Sequence, residues 1–225
     1  MQPPTAEPEL PAGDFSAWLR HARSALINGH GTDVECGTCT ACCSSSYFIH
    51  IRPEETETLE KVGKGFLAAA PGHPKGHKLL AYDQHGICPM LIQDKCSIYP
   101  QRPKTCRSYD CRVFAAAGIA AGAEDKARIN ERVRQWRFAY PAERDRRESA
   151  AVRAAARFIR GNAAAFPGGR IPDNPSQLAI LAIKVYEVFM DIHGGSGSKD
   201  PDETAREVVA ASRRFDALPP DPPDR

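Results

Sequence analysis

Between Asp14 and Gly29 the apolar residues Phe15, Trp18, Leu19, Ala22, Leu26 and Ile27 recur on one helical face. With Asp14 as N-cap and Gly29 as stop, the spacing predicts a packing helix. The next apolar block, Tyr47-Phe48-Ile49-His50-Ile51, is short and reads as a strand that ends at Arg52-Pro53. Pro53 with Glu54, Glu55 and Glu57 suits the first turn of a helix, where a missing N–H costs nothing and acidic groups meet the positive end of the dipole. From Gly63 to Gly86 the chain is punctuated by Gly, Pro and His, which predicts a loop with one short strand around Lys78 to Tyr82. Cys88 to Ile92 and Cys96 to Tyr99 flank Gln93-Asp94-Lys95 and predict a hairpin with a three-residue turn, Cys88 and Cys96 lying near each other across it.

Beyond Cys111 the pattern changes to helical periodicity over roughly Lys126 to Phe138, Ala142 to Arg160, Gln177 to Ile192 and Asp202 to Phe215, with Pro and Gly between. Ala115 to Ala123 reads as helix or linker, and the Pro- and Asp-rich tail from Leu218 as frayed. The predicted class is α+β: a small, irregular, cysteine-ligated module with a β-hairpin, joined to a mainly helical C-terminal region. The expected divisions are a tail and packing helix at 1–32, a cysteine-rich module at 33–112, a helical region at 113–217 and a tail at 218–225.

Composition changes this picture little. The 225 residues suffice for a sizeable core, and a net charge of +2 names no partner. Met1 to Gly13 is rich in Pro and Glu, with neither the basic stretch nor the apolar run of a secretion signal, so a cytoplasmic location is expected. The longest apolar candidate, Leu178 to Met190, is broken by Lys184 and Glu187 and falls short of the ~18 to 20 residues that span a bilayer. No membrane association is expected.

The chemistry lies in the cysteines, all eight of which fall within the 76 residues from Cys36 to Cys111. In a reducing compartment such thiols are more readily metal ligands than disulfides, and buried free thiols would not gather in this way. Cys36-Gly37-Thr38-Cys39-Thr40-Ala41-Cys42-Cys43 sets three thiols at steps of three among small residues that let the backbone curl. Iron–sulfur wraps use Cys-x2-Cys-x2-Cys with a distant fourth cysteine followed by proline, as Cys88-Pro89 is here. Zinc sites use the same short spacing, so spacing leaves both metals open, with an iron–sulfur cluster favoured because the three-cysteine wrap suits it. Adjacent Cys42 and Cys43 are expected to diverge. Cys36, Cys39, Cys42 and Cys88 therefore form one expected ligand set, and Cys43, Cys96, Cys106 and Cys111 a second one, for zinc, another cluster or a redox pair.

Four thiolates around Zn²⁺ or an oxidised cubane leave a net negative charge that is costly to bury unpaired. Lys95, Arg102, Lys104, Arg107 and Arg112 stand against Asp94 and Asp110 in the second half of the module, while Asp33 and Glu35 oppose this near the first. Arg102 and Arg107 are the candidates to support the bound group by donating to its sulfurs.

The ordered run Cys36-x2-Cys39-x2-Cys42-Cys43, Ile51-Arg52-Pro53-Glu54-Glu55, Cys88-Pro89-Met90-Leu91 and Cys96-Ser97-Ile98-Tyr99-x2-Arg102-Pro103-x2-Cys106-Arg107 resembles the YkgJ-type CxxCxxCC family. The resemblance covers roughly Val34 to Cys111 and implies a zinc- or iron-chelating domain. The motif is also similar to the cysteine cluster of bacterial flagellin lysine N-methylases, which implies an iron–sulfur centre and methyl transfer.

Other features have plainer readings. His73, His77 and His85 are expected to be solvated loop residues rather than ligands, and Tyr99, Arg102, Arg107 and Tyr109 could shape the site through hydrogen bonds or merely line the surface. Asp125 to Arg160 carries eleven basic and five acidic residues, which a solvated helical face explains better than RNA contact, so no nucleic-acid partner is expected. Phosphate-loop, nucleophile-elbow and His-Glu-x2-His motifs are absent, as is the Cys-x3-Cys-x2-Cys signature of radical chemistry. The sequence therefore supports a metal-binding protein for electron transfer, sensing or cluster delivery to an unidentified protein partner. Its rivals are a structural-zinc interaction protein and an iron–sulfur methyltransferase.

Overall fold

The computed structural model describes residues 9–32, 34, 37–190 and 200–220. Cys36, Asp33, Glu35 and the last residues of the helix expected to reach Ile192 lie outside them. The α+β class holds, with short separate sheets and a helical C-terminal region. The chain divides into two compact units, one made of residues 1–29, 111–121 and 133–225, the other of 30–110 and 122–132.

In the helical unit, α1 (Phe15–Asn28) follows the predicted periodicity, burying Phe15, Trp18, Leu19 and Ala22 and ending at Gly29 in the left-handed region. Asp14 stands at its N-cap, but its side chain accepts no capping hydrogen bond. Two strands escape the periodicity: β1 (Leu10–Asp14) pairs in parallel with β7 (Trp136–Ala139), so the helix expected through Phe138 stops at Gln135. Phe138 then packs edge-on against Phe15, with ring centroids 5.0 Å apart. The rest of this unit is α4 (Arg112–Ala117), α6 (Glu143–Gly161), α7 (Pro175–Val185) and α8 (Pro201–Asp216). Alanines 151, 155 and 156 on α6 and 179 and 182 on α7 are fully buried, so small side chains let these helices approach closely. Asn174 and Asp200 cap α7 and α8 with their side-chain oxygens, each followed by a proline at the first helical position. Arg23 of α1 donates to the carbonyls of Ile183 and Lys184 at 2.9 and 3.0 Å, a cation placed at the negative end of α7. Among the described residues, no helix is long and apolar enough to cross a membrane.

The cysteine-bearing unit is built from shorter pieces. Strand β2 (Ile49–Ile51) pairs antiparallel with β4 (Lys78–Leu80), and β4 with β3 (Leu67–Ala69), giving the order β2-β4-β3. β3 lies in the stretch expected to be loop; Leu67-Ala68-Ala69 lacks the β-branched residues that mark a strand. Helix α2 (Thr56–Val62) begins three residues after Pro53. A second ladder joins β5 (Leu91–Ile92) to β6 (Lys95–Cys96). Its turn has two residues rather than three: Gln93 and Asp94 both have positive φ, 50° and 58°, the backbone of a type I′ hairpin turn. Cys96 consequently faces Leu91 rather than Cys88, which precedes the ladder. Helix α3 (Lys104–Ser108) follows, and α5 (Ala127–Gln135) is divided between the units at Arg132. The apolar core of this unit is small: Ile49, Ile51, Val62, Leu80, Met90 and Ile98, with Cys88 among them.

Asp145, buried near the start of α6, tests the integrity of the helical unit. Its carboxylate accepts from the N–H of Ser16 at 2.8 Å and of Ala142 at 2.9 Å. These donors hold its pKa below the ordinary carboxylate value. A depressed folded-state pKa contributes stability that is fully present above about pH 4 and is lost as pH falls through the folded value. Asp145→Ala should lower the thermal midpoint at pH 7, and the gap to the parent should narrow in acid. A gap of constant size from pH 7 to pH 3 would refute the carboxylate's role.

Candidate metal centre

Three backbone devices bring the cysteine segments together. Around Cys39, Gly37 adopts a left-handed φ of 56°, and the chain then winds into a 3-10 turn at Cys42–Ser44. The hydroxyls of Ser44 and Ser45 close that turn, donating to the carbonyls of Thr40 and Ala41 at 2.9 and 2.6 Å. The second device is a direct link between segments: the Cys88 N–H donates to the Cys43 carbonyl at 2.7 Å. Close by, Ser46 N–H donates to the Gly86 carbonyl at 3.2 Å. Gly86 has φ of 75°, a conformation that favours glycine, and a Cβ there would fall 2.2 Å from Ser46 Oγ and force that hydroxyl to turn away. Third, the 3-10 turn Tyr99–Gln101 and Pro103 lead into α3, which carries Cys106.

The result is one cavity of about 600 Å³ whose wall includes Cys39, Cys42, Cys43, Cys88, Cys96 and Cys106. Ile49, Leu80, Met90 and Ile98 supply apolar surface, with Tyr47, Tyr82, Tyr99 and Tyr109 between. The two expected ligand sets are not kept apart: Cys43, Cys96 and Cys106 line the same space as Cys39, Cys42 and Cys88. Adjacent Cys42 and Cys43 both reach it, since the tight turn carries the pair along one wall. Cys111 belongs to the helical unit, where it precedes α4 and its sulfur accepts from the Trp136 indole N–H at 3.1 Å.

Electrostatics in the cavity oppose bare thiolates. Burial pushes the Cys106 thiol far up, with Cys43, Cys88 and Cys96 adding to the effect and Arg102 opposing it. Burial also raises Cys88, against the stabilising N–H groups of Met90 and Leu91 and with a further push from Cys96. Tyr82, whose hydroxyl donates to the Cys42 carbonyl at 3.4 Å, is raised by burial and then by the surrounding cysteines. Thiols in this setting ionise readily only when a cation replaces the lost hydration.

Of the cations expected around the centre, Lys95 and Arg102 line the cavity, together with Asp94. Arg102 is buried, lies over the Tyr99 ring at 4.0 Å and donates to the Tyr99 carbonyl at 3.0 Å. Arg107 donates to the Arg102 carbonyl at 2.7 Å and so braces the segment that carries Arg102. Lys104 lends its backbone N–H to Glu55. Arg112 sits in the helical unit with its guanidinium 5.8 Å above Trp136.

Tyr47 and Tyr82 were not singled out by the sequence; Tyr47 pairs its hydroxyl with that of Tyr109 at 2.9 Å and shapes one wall. Their signal was slight, an aromatic beside a small-residue turn and another at a strand end. The histidines are a clearer departure. His85 is exposed as expected, but His50, His73 and His77 converge, with one donor nitrogen from each lying within 4.8 Å of the others. Burial lowers the His50 pKa, and the neighbouring His73 and His77 add to this.

Residues 35–133 match the CxxCxxCC family. That family is described as a putative zinc- or iron-chelating domain. No curated protein and no solved structure gives a significant match to the chain. The CxxCxxCC match spans the cysteine-bearing stretches of the second unit, and its described chemistry agrees with the donor set. Thiolates serve both zinc and iron–sulfur groups, so the residues fit such a group. Cys39, Cys42, Cys43, Cys88, Cys96 and Cys106, which line the cavity, are the residues that could hold it.

A unit with so small an apolar core and strands of two or three residues has little packing to order it without a bound metal. Removing the metal with a chelator under anaerobic conditions should speed backbone hydrogen exchange across 37–110 by far more than across α6 and α7. Equal change in both units would show that the metal does not organise the module.

Proposed function

We propose that the cysteine cavity holds an iron–sulfur cluster, and that the protein uses it to pass electrons or to deliver the cluster to a protein partner. The observation that carries this reading is six cysteines around one cavity of about 600 Å³. A single zinc ion takes four donors at ~2.3 Å and needs no space beyond its own. A polynuclear group uses both the volume and the range of wall positions. The cysteines fall into a tight turn, a hairpin and a short helix, so a cluster bound among them ties three segments together.

Cys39, Cys42, Cys43, Cys96 and Cys106 are partly exposed and only Cys88 is buried. A group held there is reachable from outside, which suits exchange with a partner better than a sealed structural site does. Arg102 and Lys95 offset the negative charge of a thiolate-ligated cluster, and Arg107 holds the Arg102 segment in place. The apolar wall from Ile49, Leu80 and Met90 lowers the local dielectric, a lever on reduction potential. A reducing, cytoplasmic setting keeps the thiols available before loading.

The test is anaerobic purification with measurement of iron, acid-labile sulfide and zinc in the parent and in Cys39→Ser. The expected result is iron and sulfide in the parent and a marked loss of both in the variant. Stoichiometric zinc without sulfide in the parent would overturn the cluster reading in favour of structural zinc. Unchanged iron and sulfide in the variant would remove Cys39 from the ligand set.

A further inference from the structure

We propose that His50, His73 and His77 form a second metal site, separate from the cysteine cavity, that binds one divalent ion of the zinc or nickel kind through three imidazole nitrogens. The donor atoms already lie within 4.8 Å of one another, and His50 Nε2 is 2.8 Å from His77 Nδ1. The ring planes are nearly parallel, 12° apart for His50 and His77 and 27° for His50 and His73, so modest side-chain rotations turn their in-plane lone pairs toward one ion. Imidazole suits zinc, nickel, copper and iron(II) ions, and three histidines with a remaining solvent position form a familiar open zinc site.

Two independent pieces of backbone present these donors. His50 is the middle residue of β2, and its carbonyl accepts from the Thr105 hydroxyl at 2.6 Å. His73 and His77 come from the connection between β3 and β4, Pro71-Gly72-His73-Pro74-Lys75-Gly76-His77. That connection is pinned internally: Ala70 N–H donates to the His77 carbonyl at 3.1 Å, His73 N–H to Ala70 at 3.3 Å and His77 N–H to Pro74 at 3.3 Å. Gly76, at φ of 100°, packs against the Pro53 ring, where a Cβ would come within 3.0 Å. The loop is thus held in the conformation that aims both histidines at β2, which lowers the ordering cost of binding an ion.

The site is distinct from the cysteine cavity because a strand alternates its faces. Ile49 lines the thiol cavity, so His50 projects to the opposite side of the sheet. An ion bound at ~2.0 to 2.1 Å from each nitrogen sets the donors about 3.3 Å apart, so His50 and His77 open slightly from 2.8 Å while His73 closes. His73 is the exposed member of the three, and rotation of its side chain supplies the closure. The proton now shared between His50 Nε2 and His77 Nδ1 moves to the other nitrogen of the ring that carries it, leaving two lone pairs for the ion and no net change in charge on the rings. Arg52 and Glu55 are the nearby charges acting on His50, in opposite directions. Exposure at His73 leaves water to complete the coordination.

The experiment titrates the purified full chain, with its resident metal in place, against Ni²⁺ in equilibrium dialysis, recording iron, zinc and sulfide in the same samples. One nickel per chain is expected in addition to the resident metal, with the side-chain ¹⁵N resonances of His50, His73 and His77 shifted and those of His85 unmoved. His73→Ala, at an exposed loop position, should weaken nickel binding by more than the ~10- to 100-fold typical of losing a mere supporting contact, while His85→Ala should bind as the parent does. Nickel that displaces the resident metal one for one, no stoichiometric nickel, or equal affinity in His73→Ala would each overturn the site. Iron, zinc and sulfide contents judge the cysteine reading separately.

Discussion

The cysteine-bearing unit depends on a conflict between thiol crowding and desolvation. Six cysteines line one partly apolar cavity, and two of them, Cys88 and Cys106, are driven toward the protonated state by burial and by neighbouring cysteines. The wall offsets this only in part: Arg102 opposes the rise at Cys106, Lys95 adds a second positive group, and Asp94 cancels one of the two. A bound metal resolves the conflict by replacing hydration with coordination. The surrounding fold can therefore be slight. Two- and three-residue strands, a one-turn helix at Cys106 and a small apolar cluster give a frame that positions donors but has little reserve of its own.

The helical unit has the opposite character. Its alanine-rich α6 and α7 bury their contact face completely, its helix starts are capped by Asn174 and Asp200, and Arg23 ties α1 to the end of α7. Cys111, bonded to the Trp136 indole, belongs to this setting, and its sulfur has a packing role available to it whatever else it does.

The helices were legible because 3.6-residue periodicity runs over ten or more residues, as in α1, which ends at Gly29. Strands β1 and β7 were not, because the partners Leu10 and Trp136 are separated by more than a hundred residues, and four alternating residues after a helical run look like its last turn. The Gln93-Asp94 turn was misjudged by one residue for want of a glycine, although aspartate tolerates the left-handed backbone it adopts. Cysteine spacing picked out the candidate donors, but how they would share space could not be read from it. Spacing suggests two sets of four because each set is locally plausible, whereas the fold superimposes the segments on one cavity through the Cys88–Cys43 backbone bond. The histidine convergence had no motif at all, since His50 meets His77 only through the β2-β4-β3 register.

That register also keeps two kinds of donor apart. Ile49 pairs with Leu80, and both line the thiol cavity, while His50 pairs with Leu79 on the reverse face. A slip of one residue would exchange the faces, turning an imidazole into the thiol cavity and an isoleucine out to solvent. The β2–β4 ladder is short, so the register is fixed instead by apolar burial of Ile49 and Ile51 on one side and by the Thr105 bond to the His50 carbonyl, one residue before Cys106. Soft thiolates and borderline imidazoles prefer different ions. Held on opposite faces of a single strand, they can load independently even though the elements that position them are the same.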